Sequence, residues 1–323
     1  RDWSSDVCSS DLTGEGEESF LQFVKGIESG HNHEIEKVAG ICFYKNGKLV
    51  RVPNCHAPDL NSYIPCSLNH NLFGFVEITR GCPFACHFCQ TSQIFGTTVR
   101  HRSIENLKDY ANLLRSKNYT DFRTLSPNAM AYGSNDGFLL NLPEIEKMLH
   151  TVSETLGPNG RIFFGSFPSE IRPEHITKDS LDLIQKFAAN KNIIIGAQSG
   201  CQNVLNRCNR GNTVNQIYNA VKLCTERKIK TNIDFIFGLP GETEQETNET
   251  FRFIDNLLKL GKDVKIHAHY FMPLPGTAYS QKEPAWNESV RKKMNLYVSK
   301  GFIYGPWINH EKRALNLKKL SEN

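Results

Sequence analysis

The sequence predicts an α/β fold in which six parallel strands form a partial (β/α)6 barrel. From residue 71 onward, short runs of β-branched and aromatic residues alternate with longer amphipathic segments. Capping signals stand at the start of two of the amphipathic segments. Because consecutive strand–helix units place their strands side by side in one direction, this alternation indicates a parallel sheet.

The first 70 residues carry a different pattern. Residues 1–12 have no initiator Met and no apolar periodicity, so we interpret them as translated sequencing-adapter sequence and leave them out of fold prediction. Residues 20–27 have helical spacing, and apolar alternations at 38–44 and 49–52 flank Asn46-Gly47, which predicts a hairpin. The Pro- and Asn-containing stretch 53–70 is predicted to be a linker.

The elements of the barrel follow in order. Strand candidates are 72–78, 121–125, 161–167, 192–197, 231–237 and 264–271, and helix candidates are 104–117, 142–156, 178–189, 213–227 and 243–260. Thr213 with Gln216 and Thr243 with Glu246 match the capping box, which fixes two helix starts. In barrels of this type the reactive groups lie on loops at the C-terminal ends of the strands.

Three thiols are concentrated in one loop after the first strand candidate. The loop reads Cys82-Pro-Phe-Ala-Cys86-His-Phe-Cys89, a C-x3-C-x2-C spacing. A 4Fe-4S cluster normally takes four Cys ligands, so three leave one iron open to a small molecule. The alternative is a zinc site that uses the three Cys and His87, although zinc knuckles usually bring their ligands in two separated pairs.

With Phe88 just before the last Cys, this loop resembles the signature of the radical S-adenosylmethionine (SAM) superfamily. The resemblance implies that Cys82, Cys86 and Cys89 ligate a 4Fe-4S cluster whose open iron chelates the amino and carboxylate groups of SAM. The reduced cluster would then release a 5'-deoxyadenosyl radical that abstracts hydrogen from a substrate. The resemblance also implies the partial barrel and a reducing partner such as flavodoxin or ferredoxin.

Other positions resemble the cofactor-binding strand ends of this superfamily. Ser126 and Asn128 follow the second strand, where relatives carry a glycine-rich turn for the methionine amino group, although this chain departs from the usual Gly-Gly-Glu. Gln198 ends the fourth strand and would bond the ribose or amino-acid portion. Arg210 would pair with the carboxylate through its planar guanidinium, and Arg207 is the competing choice.

Asp234 opens the stretch Asp-Phe-Ile-Phe-Gly-Leu-Pro-Gly-Glu-Thr, which closely matches a strand and turn of the superfamily. Because an unpaired carboxylate inside an apolar strand is costly, Asp234 requires a partner. A cofactor ribose hydroxyl, Arg210 or a structural hydrogen bond to a neighbouring loop would serve. Two His side chains alternate onto one face of the sixth strand. The candidates for substrate contact are Glu170, Arg172, His267 and His269.

The region before the barrel resembles the last segment of a cobalamin-binding domain found in one subgroup of the superfamily, through Gly14-Glu-Gly-Glu and residues 38–41. We therefore interpret residues 13–70 as a remnant of that domain plus a linker, 71–280 as the radical SAM barrel and 281–323 as a C-terminal extension. The Asp-x-His-x-x-Gly string that ligates cobalt is not in this sequence, so cobalamin is expected only for a longer parent protein.

Composition and charge limit the classes of binding partner and the compartment that we expect for this protein. The formal net charge is +4, and the basic spots are scattered without interleaved aromatics, so nucleic acid is not expected as a partner. No apolar run approaches the roughly 20 residues that a bilayer requires, and the Cys spacing does not suggest a disulfide framework, which favours the cytoplasm.

The sequence thus predicts a radical SAM enzyme of unknown substrate, with cobalamin-dependent methyl transfer or rearrangement considered first. One alternative is a methylthiotransferase that acts on tRNA or a ribosomal protein. An alternative of another class is a non-catalytic iron-sulfur or zinc-binding protein. Cys201, Cys208 and Cys224 raise the question of a second cluster, but they lack a compact loop spacing and are interpreted as buried apolar residues.

Overall fold

The computed structural model describes residues 12–30, 35–54, 57–286 and 288–321. The chain divides into two compact units, residues 1–64 and residues 65–323. Residues 1–11, interpreted above as adapter sequence, lie outside the described residues.

The first unit contains helix α1 (Glu17–Glu28) and the predicted hairpin. Strand β1 (Cys42–Lys45) pairs antiparallel with β2 (Lys48–Arg51). Between them Asn46 has φ 52° and Gly47 has φ 73°. Positive φ at both central residues of a two-residue loop matches the right-handed twist of the flanking strands, which is why Asn-Gly predicted this turn correctly.

The second unit is built around parallel strands. Its strands are β3 (Cys66–Ser67), β4 (Leu72–Phe73), β5 (Val76–Glu77), β6 (Thr79–Arg80), β7 (Arg100–His101), β8 (Asp121–Leu125), β9 (Arg161–Phe163), β10 (Ile193–Gln198), β11 (Thr231–Phe237), β12 (Val264–Tyr270) and β13 (Ile303–Tyr304). One parallel sheet has the order β5-β8-β9 and the other β10-β11-β12-β13. A parallel bridge from Ile171 to Ile195 connects the segment after β9 to β10. The predicted fold class is confirmed.

The helices of the second unit include all five that the sequence predicts between the strands. They are α2 (Thr91–Phe95), α3 (Ile104–Ser116), α4 (Leu142–Leu156), α5 (Lys178–Phe187), α6 (Gln202–Arg207), α7 (Val214–Glu226), α8 (Glu244–Leu258), α9 (Glu288–Ser299) and α10 (Trp307–Ser321). Thr213 and Thr243 cap α7 and α8 through complete capping boxes, so both predicted starts are confirmed. None of the helices in the described ranges is long and apolar enough to cross a membrane.

Two strand predictions need correction, and one strand was not predicted. The first candidate, 72–78, is split, because β4 pairs antiparallel with β3 and only β5 enters the parallel sheet. The third candidate stops at Phe163, because the side-chain amide of Asn190 hydrogen-bonds both the N–H and the carbonyl oxygen of Phe164 in place of a strand partner. A seventh parallel strand, β13, pairs with β12 and is too short to be recognised from its sequence.

Alternation along two central strands decides which side chains face the helices and which face the opposite side of the sheet. In β11 Ile233, Phe235 and Phe237 are buried, whereas the residues between them are partly exposed. Phe237 packs against Phe251 of α8, with ring centroids 5.4 Å apart. Strand β12 shows the same alternation. Polar side chains of both strands therefore share the face turned away from the helices.

Candidate active site

The Cys loop, residues 82–89, begins where two short strands approach each other closely. β6 and β7 pair antiparallel, and the backbone N–H of Cys82 donates to Gly96 O at 3.1 Å. Gly81 has φ +87°, and a Cβ atom there would lie 2.2 Å from Thr98 O. Only glycine fits this position, because both the backbone angle and the approach exclude a side chain.

Hydrogen bonds of its backbone groups fix the rest of the loop to segments that follow other strands. Asn209 donates from Nδ2 to Phe84 O at 3.0 Å. The N–H of His87 donates to Cys208 O at 3.0 Å, and the N–H of Tyr279 donates to His87 O at 3.1 Å. The three thiols are thus held on a supported loop, which is the requirement for a preorganised ligand set.

The three thiols differ in burial. Cys86 is 7% exposed, whereas Cys82 and Cys89 are partly buried. Burial raises the pKa of the Cys82 and Cys89 thiols, and hydrogen bonding with Thr91 opposes this effect at Cys89. The N–H of Thr91 donates to Cys89 Sγ at 3.5 Å.

His87, the fourth ligand in the zinc alternative, has other partners. Its Nδ1 lies 3.0 Å from Arg207 O, and its ring contacts Tyr279 edge-on with centroids 5.3 Å apart. The imidazole therefore packs between two segments that support the loop.

Arg210 is the buried cation of the site, with 4% exposure. Its Nη2 donates to Gly196 O at 2.6 Å and lies 3.7 Å from Glu170 Oε1, while Nη1 lies 3.7 Å from Cys86 Sγ. Although burial alone would lower it, the pKa of Arg210 is raised by Cys86 and Glu170. Its buried Nε has no hydrogen-bond partner among the described residues. A fixed guanidinium with a spare donor beside a thiol is suited to an anionic ligand.

Arg207, the competing choice, has a separate role. It forms a bidentate ion pair with Glu246, with Nη2 2.9 Å from Oε2 and Nη1 3.1 Å from Oε1. Glu246 is also the N3 residue of the α8 capping box. Arg207 is thereby engaged in supporting a helix start rather than in contacting the thiols.

Glu170 and Gln198 complete the surroundings of Arg210. Gln198 lies at a bulge in β10 with φ +74°, is 6% exposed, and donates from Nε2 to Glu170 Oε2 at 3.5 Å. Burial raises the pKa of Glu170, and the charge of Arg210 opposes that shift. The predicted residues of the third and fourth strand ends therefore lie together, with Glu170 as a partner of Arg210.

Gly196 makes room for this ion pair, a role that the sequence did not reveal. A Cβ atom there would lie 2.5 Å from Glu170 Oε2 and 2.7 Å from Arg210 Nη2. We expect Gly196→Ala to displace the pair and to cost about 1–3 kcal/mol of unfolding free energy, as overpacking does. Urea unfolding measures this loss. Gly74→Ala is the control, because a Cβ at Gly74 meets nothing within 4 Å; equal losses in the two variants would contradict this role.

Ser126 and Asn128 differ in whether their side-chain oxygen is free to accept a hydrogen bond from a ligand. Asn128 is engaged on both sides, since its Oδ1 accepts from the N–H of Arg172 at 3.3 Å and its Nδ2 lies 2.8 Å from His175 Nδ1. The hydroxyl of Ser126 is buried and has no partner among the described residues. Of the two, Ser126 is the one with an oxygen free for a ligand.

Arg172 contacts the Cys loop directly. Its guanidinium carbon lies 3.3 Å from the ring centroid of Phe84, a cation–π contact. It also pairs with Glu174 and donates from Nη2 to Arg210 O. Arg172 is 1% exposed, and its Nη1 has no partner within the described part of the chain. Arg172, predicted as a substrate contact, therefore stabilises the positions of the Cys loop and of the segment that carries Arg210.

Asp234 pairs with the two imidazoles of β12. Oδ1 lies 3.0 Å from His267 Nδ1, and Oδ2 lies 3.7 Å from His269 Nε2. Burial would raise the pKa of Asp234, but the hydrogen bond with His267 and the nearby imidazole of His269 hold it below its usual value. The expected need for a partner is met by His267 and His269, while Arg210 pairs with Glu170.

A cavity of about 330 Å³ connects the Cys loop with the end of β12. It is lined on one side by Phe88 and Cys89, and on the other by Ile236 and His269. Phe88 also packs against a buried apolar cluster that contains Cys201 and Cys208, whereas Cys224 belongs to the main core. A molecule in this cavity would touch both the loop and one of the predicted substrate contacts.

Glu242, in the turn between β11 and α8, is a titratable residue that sequence reasoning did not single out. Burial raises its pKa from 4.5 to about 7, against hydrogen bonds from the backbone of Gly238 and Leu239. A carboxyl with a raised folded-state pKa stabilises the fold most below pH 4.5 and loses that contribution as pH rises through 7.

We therefore expect Glu242→Gln to remove a pH dependence of stability. The unfolding free energy of the variant minus that of the natural chain should increase between pH 5 and 8 by about 3 kcal/mol. Urea unfolding across this pH range measures the difference. A constant difference would mean that Glu242 does not titrate near pH 7 in the folded protein.

Residues 76–254, more than half of the chain, match the family described as the Radical SAM superfamily. The chain belongs to this superfamily. It is therefore an enzyme whose reaction is unassigned, and a 4Fe-4S cluster and SAM are the cofactors that the superfamily implies.

Curated relatives include methylthiotransferases. The tRNA-2-methylthio-N(6)-dimethylallyladenosine synthase of Acinetobacter baylyi is 29% identical over 81% of this chain and 52% of its own length. The threonylcarbamoyladenosine tRNA methylthiotransferase of Thermotoga maritima is 24% identical over 93% of this chain and 65% of its own length. The chain spans about half the length of most of these relatives.

Solved structures agree in fold. The radical SAM methyltransferase TsrM from Kitasatospora setae, determined with cobalamin and a 4Fe-4S cluster, has a TM-score of 0.63 at 18% identity and covers 83% of this chain and 52% of its own. The cobalamin-dependent SAM radical enzyme OxsB has a TM-score of 0.59 at 16% identity and covers 89% of this chain and 45% of its own.

Proposed function

We propose that Cys82, Cys86 and Cys89 hold a 4Fe-4S cluster and that the protein cleaves SAM reductively to start radical chemistry on a substrate. The observation that carries the proposal is the fixed three-thiol loop with the buried, partly unpartnered Arg210 against Cys86. When bound, the cluster and SAM together supply a 5'-deoxyadenosyl radical. Three ligands from one short loop suit a cluster with one open iron.

The spare donors and acceptors around the loop form the binding groups for SAM. Arg210 would direct its unpartnered Nε toward the SAM carboxylate, and Ser126 would accept from the amino group through its unpartnered hydroxyl. Gln198 would turn its amide from Glu170 to the ribose or the amino-acid portion, since its present hydrogen bond to Glu170 is long at 3.5 Å. Asp234 is left out of this set, because both of its oxygens face imidazoles.

The cavity between Phe88 and His269 is the proposed substrate position. It borders the Cys loop, so a substrate there would lie beside the place where the radical forms. Its lining is largely apolar, which suits the apolar part of a substrate. Because cleavage consumes an electron, we also propose a small reducing protein such as flavodoxin or ferredoxin as the donor.

The reaction itself has two candidates. Cobalamin-dependent methyl transfer or rearrangement in a longer parent protein is supported by the resemblance of residues 14–17 and 38–41 to the end of a cobalamin-binding domain. Methylthiolation of tRNA or a ribosomal protein is supported by the curated relatives. Incubation of the reduced, cluster-loaded protein with SAM, sulfide and tRNA that carries N6-dimethylallyladenosine or N6-threonylcarbamoyladenosine without a methylthio group, followed by mass spectrometry of nucleosides, tests the second candidate. A methylthio-adenosine product would favour methylthiolation. The first candidate is tested on the longer parent protein, in which binding of added hydroxocobalamin would support it.

Metal content after anaerobic reconstitution tests the ligand assignment. The expected result is about four iron and four sulfide per chain, lost in the Cys82/Cys86/Cys89 triple Ala variant. Cys201→Ala is a matched control, because that thiol is buried in an apolar cluster and should leave the iron content unchanged. Zinc bound by these three thiols, without iron, would contradict the proposal and support the structural zinc alternative.

A further inference from the structure

We propose that Asp234, His267 and His269 form a second, mononuclear site for a divalent first-row transition metal, separate from the Cys loop. Each of the three side chains offers one ligand atom, and these atoms all lie within 4.8 Å of one another. Within the ranges that the structure describes, this is the one group of three or more such side chains with that spacing. The proposal does not depend on SAM cleavage.

The geometry suits one ion. Metal–ligand bonds of about 2.0–2.2 Å in a tetrahedral site place neighbouring ligand atoms roughly 3.3–3.6 Å apart. Asp234 Oδ1 lies 3.0 Å from His267 Nδ1, and Oδ2 lies 3.7 Å from His269 Nε2. Small movements of these side chains would therefore bring all three within bonding distance of a common ion. Two His and one carboxylate are a donor set that suits iron(II), manganese, cobalt or zinc.

The backbone explains why these three side chains meet. Asp234 and His267 are register partners in the parallel pair β11–β12, and His269 pairs with Ile236 two residues further along. Residues two apart in a strand face the same side, so the carboxylate and both imidazoles project from one face. Ligands on two central strands are held more firmly than ligands on loops.

Aromatic neighbours fix the orientation of both imidazoles. The ring of His267 stacks on Tyr304 of β13 with centroids 4.9 Å apart and an angle of 30°. The ring of His269 stacks on His310 of α10 with centroids 5.4 Å apart and an angle of 15°. Packing of this kind restricts the rotation of both imidazole rings, which favours a preformed ligand set. The buried Nδ1 of His310 has no partner among the described residues, so this side of the site also holds an unused polar group.

Three protein ligands leave coordination positions open, as in catalytic rather than structural metal sites. His269 and His310 line the cavity that Phe88 and Cys89 border on the other side. An ion held here would take an oxygen or nitrogen donor of a molecule in that cavity. The expected ligand class is a substrate with a carboxylate, hydroxyl or phosphate group, which the ion would hold beside the Cys loop.

Zinc binding to the cluster-loaded protein tests the site. After anaerobic dialysis against Zn(II), we expect one zinc per chain in addition to the cluster iron. His267→Ala and His269→Ala should each weaken zinc affinity at least tenfold. His150→Ala is the matched control, because His150 is an exposed residue of α4 that pairs only loosely with Glu154, and it should bind zinc as the natural chain does.

X-ray absorption at the zinc edge identifies the ligands and excludes binding to free thiols. Nitrogen and oxygen neighbours at about 2.0–2.2 Å are expected, whereas a thiolate would give a distance near 2.3 Å. Asp234→Asn keeps the shape of the side chain. Its zinc affinity is measured in place of that of an Ala variant if circular dichroism shows that the Ala variant does not fold. No zinc uptake, sulfur ligation, or equal affinity in the Asp234→Asn and natural proteins would overturn the site. Iron content measured on the same samples reports the Cys loop independently.

Discussion

Replacing Gly81 with Ala is expected to abolish assembly of the iron-sulfur cluster. The new Cβ would lie 2.2 Å from Thr98 O, and a backbone atom cannot swing away as a flexible side chain can. β6 and β7 would have to separate, and the hydrogen bond from Cys82 N–H to Gly96 O would break. We expect iron content after reconstitution to fall at least tenfold, with a loss of roughly 3 kcal/mol in unfolding free energy.

Gly96→Ala is the control for the backbone angle. Gly96 also has a positive φ, +78°, but a Cβ there would meet nothing within 4 Å. With ψ 174°, Gly96 lies in a region that residues other than Gly rarely adopt, so this variant should lose roughly 1–3 kcal/mol from backbone strain alone and should keep its cluster. Iron and sulfide analysis of both variants separates the two effects. Full cluster content in Gly81→Ala would show that the contact with Thr98 is not needed to place the loop.

The second large effect is expected for Arg210→Ala. This change leaves Glu170 without its cation and leaves Gly196 O without a donor. Removing one partner of a buried ion pair costs about 3 kcal/mol. Loss of a charge-assisted hydrogen bond to the SAM carboxylate adds about 1.5–3 kcal/mol to the free energy of SAM binding, so SAM affinity should fall about 10- to 100-fold. Equilibrium dialysis of labelled SAM with the cluster-loaded protein measures this fall.

Arg207→Ala provides the matched comparison. Arg207 is also an Arg in an ion pair, but its side chain is 38% exposed and its partner Glu246 belongs to a helix start. The expected cost is at most about 1 kcal/mol of stability, with SAM affinity unchanged. If both variants lost SAM affinity equally, the preference for Arg210 over Arg207 as the carboxylate ligand would be wrong.

Local sequence signals were sufficient for the fold class and for most helix bounds. Asn46-Gly47 specified its hairpin, and Thr213 and Thr243 specified helix starts, because each depends on neighbouring residues alone. A third capping box, Thr177 with Ser180, was missed because Ser is not the usual acidic or amide residue at N3. The two-residue strand β13 was missed because its pairing depends on a distant strand, β12.

The candidate site was predicted less completely, because side-chain partners depend on which strand ends meet in space. The sequence indicated that Asp234 needs a partner but could not choose among a cofactor ribose hydroxyl, Arg210 and a structural hydrogen bond to a neighbouring loop. The strand register supplies a partner that was not considered, since Asp234 lies opposite His267. The roles of Gly81 and Gly196 were invisible for the same reason, because the atoms that exclude a side chain come from residues 98, 170 and 210.

The most direct test of radical SAM chemistry is product analysis. The reconstituted protein is reduced with dithionite under anaerobic conditions, SAM is added, and 5'-deoxyadenosine is measured by chromatography. Our account predicts that 5'-deoxyadenosine forms with the natural chain and is absent with the Cys82/Cys86/Cys89 triple Ala variant. A fully loaded, reducible cluster that binds SAM and yields no 5'-deoxyadenosine, or equal yields from both proteins, would contradict it.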